Sequence, residues 1–82
     1  MNLYFEHSNG TVSLVSSEAT QENVVKLINQ DVESRNKNFK IYYIRSWTVK
    51  DITYFDIGSW SEYYLLTDQV FEEGEKIVRR YQ

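Results

Sequence analysis

The sequence predicts a single α+β domain over residues 1–82, with an antiparallel sheet of four to five strands and two helices in the order ββαββ(β)α. Three patterns support this prediction: an Asn-Gly pair between two alternating segments, a second alternating pair in mid-chain, and two stretches with helical apolar spacing. Hairpins joined by a helix favour an antiparallel sheet, with both helices most simply placed on one face.

Composition indicates a small folded domain without disulfide cross-links. Aromatic residues make up 16% of the 82 positions, and large side chains suit a chain this short, which must build its core from few residues. There is no cysteine, so disulfides, thiolate metal sites and cysteine nucleophiles are excluded. The net charge of −3 argues against a general polyanion binder. Neither a signal peptide nor a membrane span is evident, so we expect a cytoplasmic protein.

The first hairpin is predicted over residues 4–15. Asn9-Gly10 favours a two-residue type I′ loop, because both residues tolerate positive φ. That loop would place Phe5 opposite Leu14 and Leu3 opposite Ser16. One face would then carry Leu3, Phe5, Val12 and Leu14, and the other would carry Tyr4, Glu6, Ser13 and Val15.

The first helix is expected to begin near Ser17 or Thr20, either of which could act as N-cap, and to run to about Ser34. Its apolar positions follow the 3.6-residue period at Val24, Leu27, Ile28 and Val32, with Val25 at the edge. The polar stretch 35–38 would end it. This helix would pack one face on the sheet.

A second helix is predicted from about Asp68 to Arg80. Asp68 is a favourable N-cap, acids follow it in the first turn, and Lys76 and Arg79 suit the negative C-terminal end. The apolar face would consist of Val70, Phe71, Gly74, Ile77, Val78 and Tyr81.

The second hairpin is predicted from segments 39–49 and 52–60, turning at Lys50-Asp51. A two-residue loop sets Trp47 opposite Tyr54, Arg45 opposite Asp56 and Ile41 opposite Trp60, with Ser46–Phe55 and Ile44–Ile57 on the other face. Residues 63–67 would add a short fifth strand or an extended connection.

The candidate binding residues all project from one face of this second hairpin, since side chains alternate along a strand. They are Tyr43, Arg45, Trp47, Tyr54, Asp56 and Trp60. The opposite face carries Tyr42, Ile44, Phe55 and Ile57 without charges, which suits a helix-covered core better than a face with an Arg–Asp pair. We therefore expect Tyr43, Trp47 and Tyr54 to be at least partly exposed, so that truncating Trp47 and Tyr54 to Ala would leave the domain folded.

Three interpretations of this face are open. Trp, Tyr and Arg dominate protein-interface hot spots, which indicates a homodimer or a foreign protein partner. Aromatics beside Arg45, flanked by Lys37, Lys40 and Lys50, could instead stack single-stranded nucleic acid, although the acidic balance and the lack of an RNP-type motif count against it. The face could also be the core beneath the helices, with Arg45–Asp56 a minor surface pair.

No residue set predicts catalysis, a cofactor or a metal. His7 is the only histidine, and no motif supplies it with an orienting acid and a nucleophile. Asp68, Glu72 and Glu75 fit a helix N-terminus better than a calcium loop. The three glycines are isolated, so no phosphate-binding loop is expected. We therefore expect a non-enzymatic protein.

Two stretches of the chain suggest a resemblance: Ile41-Tyr42-Tyr43-Ile44-Arg45-Ser46-Trp47 and Tyr54-Phe55-Asp56-Ile57-Gly58-Ser59. With these stretches, the chain resembles the small orphan proteins encoded by phages and prophages of Gram-positive bacteria. The resemblance implies an accessory or host-takeover factor, such as an inhibitor of host defence, that binds a protein in the host cytoplasm. It implies no particular functional residue.

Overall fold

The computed structural model describes residues 1–36, 38–59 and 61–77. Its strands are β1 (Asn2–Glu6), β2 (Val12–Ser16), β3 (Arg45–Val49), β4 (Ile52–Asp56) and β5 (Tyr63–Thr67), and its helix is α1 (Val24–Arg35). All five strands form one antiparallel sheet in the order β2-β1-β5-β4-β3. The predicted α+β class is confirmed, and the predicted fifth strand lies at the centre of the sheet.

Helix α1 covers one side of the sheet, called here the helix face. Val24, Ile28 and Val32 are buried at helical spacing, whereas Val25 is 48% exposed, in agreement with the predicted amphipathic pattern. The sheet side contributes Ile57, which directly follows β4, and a buried strand set consisting of Leu3, Phe5, Phe55, Tyr64 and Leu66. No helix within the described ranges is long and apolar enough to cross a membrane.

The helix begins later than predicted because a polar turn precedes it. The Thr20 hydroxyl accepts a hydrogen bond from the Asn23 backbone N–H (3.1 Å), and the Asn23 side-chain oxygen accepts one from the Thr20 N–H (2.6 Å). This reciprocal pair has the form of a capping box and closes a separate turn over residues 20–23. Neither Ser17 nor Thr20 therefore occupies the N-cap position of the helix, which belongs to Asn23. The helix ends at Arg35, one residue beyond the predicted end.

A polar contact fixes α1 against the sheet. The buried Tyr64 hydroxyl donates to Asp31 Oδ2 at 2.6 Å, and Arg35 Nε donates to the same oxygen at 2.6 Å. The Arg35 guanidinium also lies 4.1 Å from the centre of the Phe5 ring. Burial, followed by the Asp31 hydrogen bond, raises the pKa of Tyr64 well above its usual value, so this phenol remains a donor.

The predicted second helix is wrong over the part of it that the structure describes, residues 68–77. This segment, called here the strap, runs along the outer edge of β2, where Gly74 N–H donates to Val12 O (2.8 Å) and Val12 N–H donates to Glu75 O (3.0 Å). Ile77 N–H then donates to Gly10 O at 3.1 Å. Gly74 has φ +82°, a left-handed conformation that interrupts a helix. The remaining predicted helix residues, 78–80, lie outside the described residues.

The strap covers the second side of the sheet, called here the strap face. Tyr4, Val12, Tyr54 and Leu65 are buried there, and Phe71 and Ile77 of the strap pack against them. The Phe71 ring meets the Tyr4 ring at 5.0 Å, and the Phe71 N–H donates to the Tyr4 hydroxyl at 2.9 Å. A helix covers one side of the sheet and an irregular strap the other, so the prediction of two helices on one face is wrong.

The first hairpin turns through three residues, not two. Gly10 N–H donates to His7 O (2.9 Å) and His7 N–H donates to Thr11 O (2.8 Å), which closes a loop of residues 8–10. Only Gly10 in this loop has positive φ, at +91°. Asn9 instead accepts hydrogen bonds from the Thr11 N–H (3.0 Å) and hydroxyl (2.7 Å) through its side chain. The type I′ prediction is therefore wrong, and the loop has the features of a turn followed by a glycine bulge.

The longer loop shifts the register of β2 by one residue, which reverses the predicted faces of that strand. Tyr4 pairs with Leu14 and Glu6 with Val12, so Val12 joins the strap face. A bulge at Val15 then restores the predicted pairing of Leu3 with Ser16.

Gly10→Ala should lower the free energy of unfolding by about 1–2 kcal/mol, because Ala is strained at positive φ. A Cβ at this position would also lie 3.3 Å from Lys76 Cε in the strap. Gly74→Ala is the matched control, since its φ is +82° and no atom lies within 4 Å of its added Cβ. Urea denaturation of both variants separates backbone strain from the strap contact. An unchanged midpoint for Gly10→Ala would contradict the loop geometry.

The second hairpin has the predicted register. Arg45 pairs with Asp56 and Trp47 with Tyr54, across a two-residue turn in which Lys50 has φ +56°. Strand β3 is shorter than the predicted segment 39–49, because residues 39–44 lie outside the sheet. Three apolar side chains of these residues (Phe39, Ile41, Ile44) pack against the helix-face core. Residue 41 lies outside β3, so the predicted pairing of Ile41 with Trp60 does not form part of the sheet. Trp60 itself lies outside the described residues.

Candidate functional site

Four of the predicted site residues project from the strap face at its β3 side: Arg45, Trp47, Tyr54 and Asp56. Tyr43 precedes β3 and lines a cavity with Asp56. Tyr43 is 53% exposed, Arg45 is exposed and Trp47 is half-buried, so these three positions agree with the expectation. Tyr54 is only 3% exposed and Asp56 is also buried, so the expected exposure of Tyr54 is wrong. The cause is β5, which pairs with β4 and makes it an interior strand.

Trp47 is held by aromatic neighbours on two sides. Its ring stacks on Tyr54 with centroids 5.7 Å apart and planes 15° apart, and the Tyr63 ring meets it edge-on at 6.0 Å and 83°. Tyr63 was not among the predicted site residues. Period-two alternation along residues 63–67 would place it with Leu65, but only the observed strand order shows that this face adjoins Trp47. We call Tyr43, Arg45, Trp47 and Tyr63 the aromatic patch.

Asp56 positions the guanidinium of the patch. Arg45 Nη2 donates to Asp56 Oδ2 at 2.7 Å, while Asp56 Oδ1 accepts the Gly58 N–H at 2.8 Å. Both carboxylate oxygens are thus used, one by the chain that follows β4 and one by Arg45. Because Arg45 is largely exposed, the ion pair contributes under about 1 kcal/mol to stability, and its main effect is to orient the guanidinium.

A shallow cavity of about 320 Å³ adjoins the patch and has a mainly polar lining. Its lining residues are Tyr43, Asp56, Gly58, Ser59, Ser61 and Tyr63. Within residues 1–36, 38–59 and 61–77, no group of three or more His, Asp or Glu side chains could hold a metal ion. The chemistry that this region offers is hydrogen bonding and aromatic contact.

His7 follows β1 on the helix face, and it lines one cavity together with Tyr63 of the patch. Its Nε2 is 2.9 Å from Ser13 Oγ, and Ser13 Oγ donates to Glu73 Oε2 at 2.7 Å. Since the single hydroxyl proton goes to Glu73, His7 Nε2 is the donor to Ser13 and cannot also accept that proton. The order therefore differs from a Ser-His-acid triad, in which the histidine takes the serine proton. The His7 ring packs edge-on against Phe5 at 4.7 Å.

The same contacts hold the strap against β2. The Ser13 hydrogen bond, assisted by the Leu14 N–H, lowers the pKa of Glu73 below its usual value. A carboxylate whose pKa is lowered by folding stabilises the fold above its ordinary pKa, and the effect disappears as the pH falls through the lowered value. The Glu73 contact therefore strengthens the strap at neutral pH.

Comparison of the chain with protein-family models, curated proteins and solved structures gives no match.

Proposed function

We propose that this protein is a non-catalytic interaction domain that binds a protein partner through the aromatic patch. The resemblance to phage and prophage proteins of Gram-positive bacteria makes a host protein the partner class, with the domain acting as an accessory factor or inhibitor in the host cytoplasm. The observation that carries the proposal is the half-buried Trp47, fixed on the buried Tyr54 beside an Arg45 that Asp56 orients.

Preorganisation is the physical reason why this arrangement suits a protein partner. Trp, Tyr and Arg are enriched among hot-spot residues, where one truncation costs 2 kcal/mol or more of binding energy. Side chains already held in place lose little conformational freedom when a partner docks. The buried Tyr54 and Asp56 contribute indirectly to binding, because they position Trp47 and Arg45. The exposed groups make the contact with the partner.

Single-stranded nucleic acid is the competing partner. Stacking bases needs exposed aromatic faces, but one face of Trp47 is occupied by Tyr54 and Tyr54 itself is buried. The guanidinium is already paired with Asp56. Because of these contacts, fewer aromatic ring faces and less positive charge are accessible to a nucleic acid than the sequence indicates. A protein partner is therefore favoured over single-stranded nucleic acid.

Affinity capture from a Gram-positive bacterial lysate, followed by quantitative mass spectrometry, tests the proposal. Wild type should retain a defined protein that Arg45→Ala and Trp47→Ala each lose by about tenfold or more, as expected of hot-spot positions. Tyr42→Ala is the matched control, because Tyr42 is 84% exposed and lies outside the patch. It should retain the partner at the wild-type level.

Two outcomes would contradict this function. The first is a captured set that is the same for wild type, Arg45→Ala and Trp47→Ala. The second is tight binding of an oligothymidylate with a steep decrease in affinity as salt rises, which would indicate phosphate contacts and a nucleic-acid partner.

A further inference from the structure

The two edges of the sheet differ in how their backbone hydrogen-bonding groups are used. On the β2 edge, the strap pairs with Gly10 and Val12, and Glu73 accepts the Leu14 N–H. In addition, β2 carries the bulge at Val15. This edge has two of the features by which proteins prevent a further strand from pairing, a covering segment and a bulge.

Among the residues that the structure describes, the β3 edge has neither feature. Antiparallel pairs alternate between hydrogen-bonded and non-hydrogen-bonded positions, and the two-residue turn makes Val49–Ile52 a hydrogen-bonded pair. The backbone groups of Ser46 and Thr48 therefore point outward. None of the residues that the structure describes donates to or accepts from these outward groups. The strand is regular, and it has no lysine or proline among its five residues.

We propose that β3 pairs with β3 of a second copy of this chain, forming a homodimer with a continuous ten-stranded sheet. Antiparallel self-pairing about a two-fold axis at Trp47 sets Ser46 opposite Thr48 of the other copy, and Thr48 opposite Ser46. Each of these pairs exchanges two backbone hydrogen bonds, which uses all four outward groups on each strand.

The side chains are self-complementary in this register. Ser46 and Thr48 extend the hydroxyl contact already made by Thr48 with Thr53, at 3.0 Å between their oxygens. Arg45 lies opposite Val49, so no like charges face each other across the new pair. The two Trp47 rings share the strap face at a non-hydrogen-bonded position, where Cα atoms approach to about 4.5 Å. The half-buried indole thereby loses its remaining solvent contact on the β3 side.

This inference rests on the proposed function, because it names a partner for the surface that includes Trp47. The two can still be separated by experiment. Ser46 and Thr48 project to the helix face and Trp47 to the strap face, so changes at 46 and 48 leave the patch side chains in place.

Charge complementation tests both the dimer and its register. Sedimentation velocity should show wild type forming a dimer as its concentration rises to about 500 µM, since a small interface gives transient association. Ser46→Lys with Thr48→Lys should be monomeric, and so should Ser46→Glu with Thr48→Glu, because each places like charges opposite one another. An equimolar mixture of the two double variants should restore the dimer.

The control is Ser17→Lys with Gln30→Lys, which adds the same charge at two exposed positions away from β3 and should dimerise like wild type. Circular dichroism melts check that every variant is folded. A wild type that stays monomeric over the whole range would overturn the inference, as would a lysine variant that still dimerises or a mixture that stays monomeric. The lysine variant also separates the two proposals. If it is monomeric and still captures a host protein, the proposed function does not depend on the dimer.

Discussion

Tyr54→Ala should lower the free energy of unfolding by about 3–5 kcal/mol, and Trp47→Ala by less than half of that. Tyr54 is 3% exposed in an interior strand, between Trp47 on β3 and Leu65 on β5. Trp47 is half-buried on an edge strand, so its truncation leaves a notch open to solvent and not a closed cavity. Urea denaturation followed by far-UV circular dichroism measures both values.

The sequence alone predicts that the double variant Trp47→Ala, Tyr54→Ala stays folded, and the burial of Tyr54 reverses this expectation. A domain of this size has a total stability of about 4–12 kcal/mol, so losing both rings removes a large share of it. Trp47→Ala alone is therefore the variant for binding experiments. Equal destabilisation by the two single variants would show that Trp47 belongs to the core and would weaken the proposed patch.

Local pattern was sufficient for the second hairpin and insufficient for the first. Alternation from Arg45 to Asp56 fixes the register once the turn has two residues, and the structure has that register. Asn9-Gly10 is equally compatible with a two-residue loop and with a three-residue loop that ends in a glycine bulge. The choice between them depends partly on the strap, which hydrogen bonds to Gly10 O and Val12.

In the C-terminal segment, tertiary contacts with the sheet outweigh the helical pattern of the sequence. Its spacing and end charges favour a helix, but the sheet has a second apolar face and an open β2 edge that nothing else in the described chain covers. An irregular strap covers both that face and that edge, and Gly74 permits its change of direction. Helical propensity contributes little free energy per residue, so the burial and hydrogen bonding of the strap override it.

The candidate site could be predicted only as a set of neighbours on β3 and β4. The shared face of Arg45, Trp47 and Asp56 follows from alternation, and the Arg45–Asp56 contact follows from the register. The burial of Tyr54 and the position of Tyr63 depend on β5 lying between β1 and β4. That strand order is a long-range feature, since β1 and β5 are separated by most of the chain, and short-range periodicity contains no information about it.

The double variant Phe71→Ala, Ile77→Ala should lower the free energy of unfolding by about 2–4 kcal/mol, the second-largest effect expected here. These two strap side chains pack against the cluster that contains Tyr4, Val12 and Leu65, which no helix of the described residues covers. Both are half-buried, so the expected loss is about half of that for two fully buried residues.

Val70→Ala is the matched control, because Val70 belongs to the same strap but is 83% exposed, and its change should be within about 0.5 kcal/mol of wild type. Amide hydrogen exchange adds a local measurement. In the double variant, the amides that bond the strap to β2, those of Val12, Gly74 and Ile77, should lose protection before those of β4 and β5. If the double variant is as stable as Val70→Ala, the strap does not contribute to the core and the strap face must be stabilised in another way.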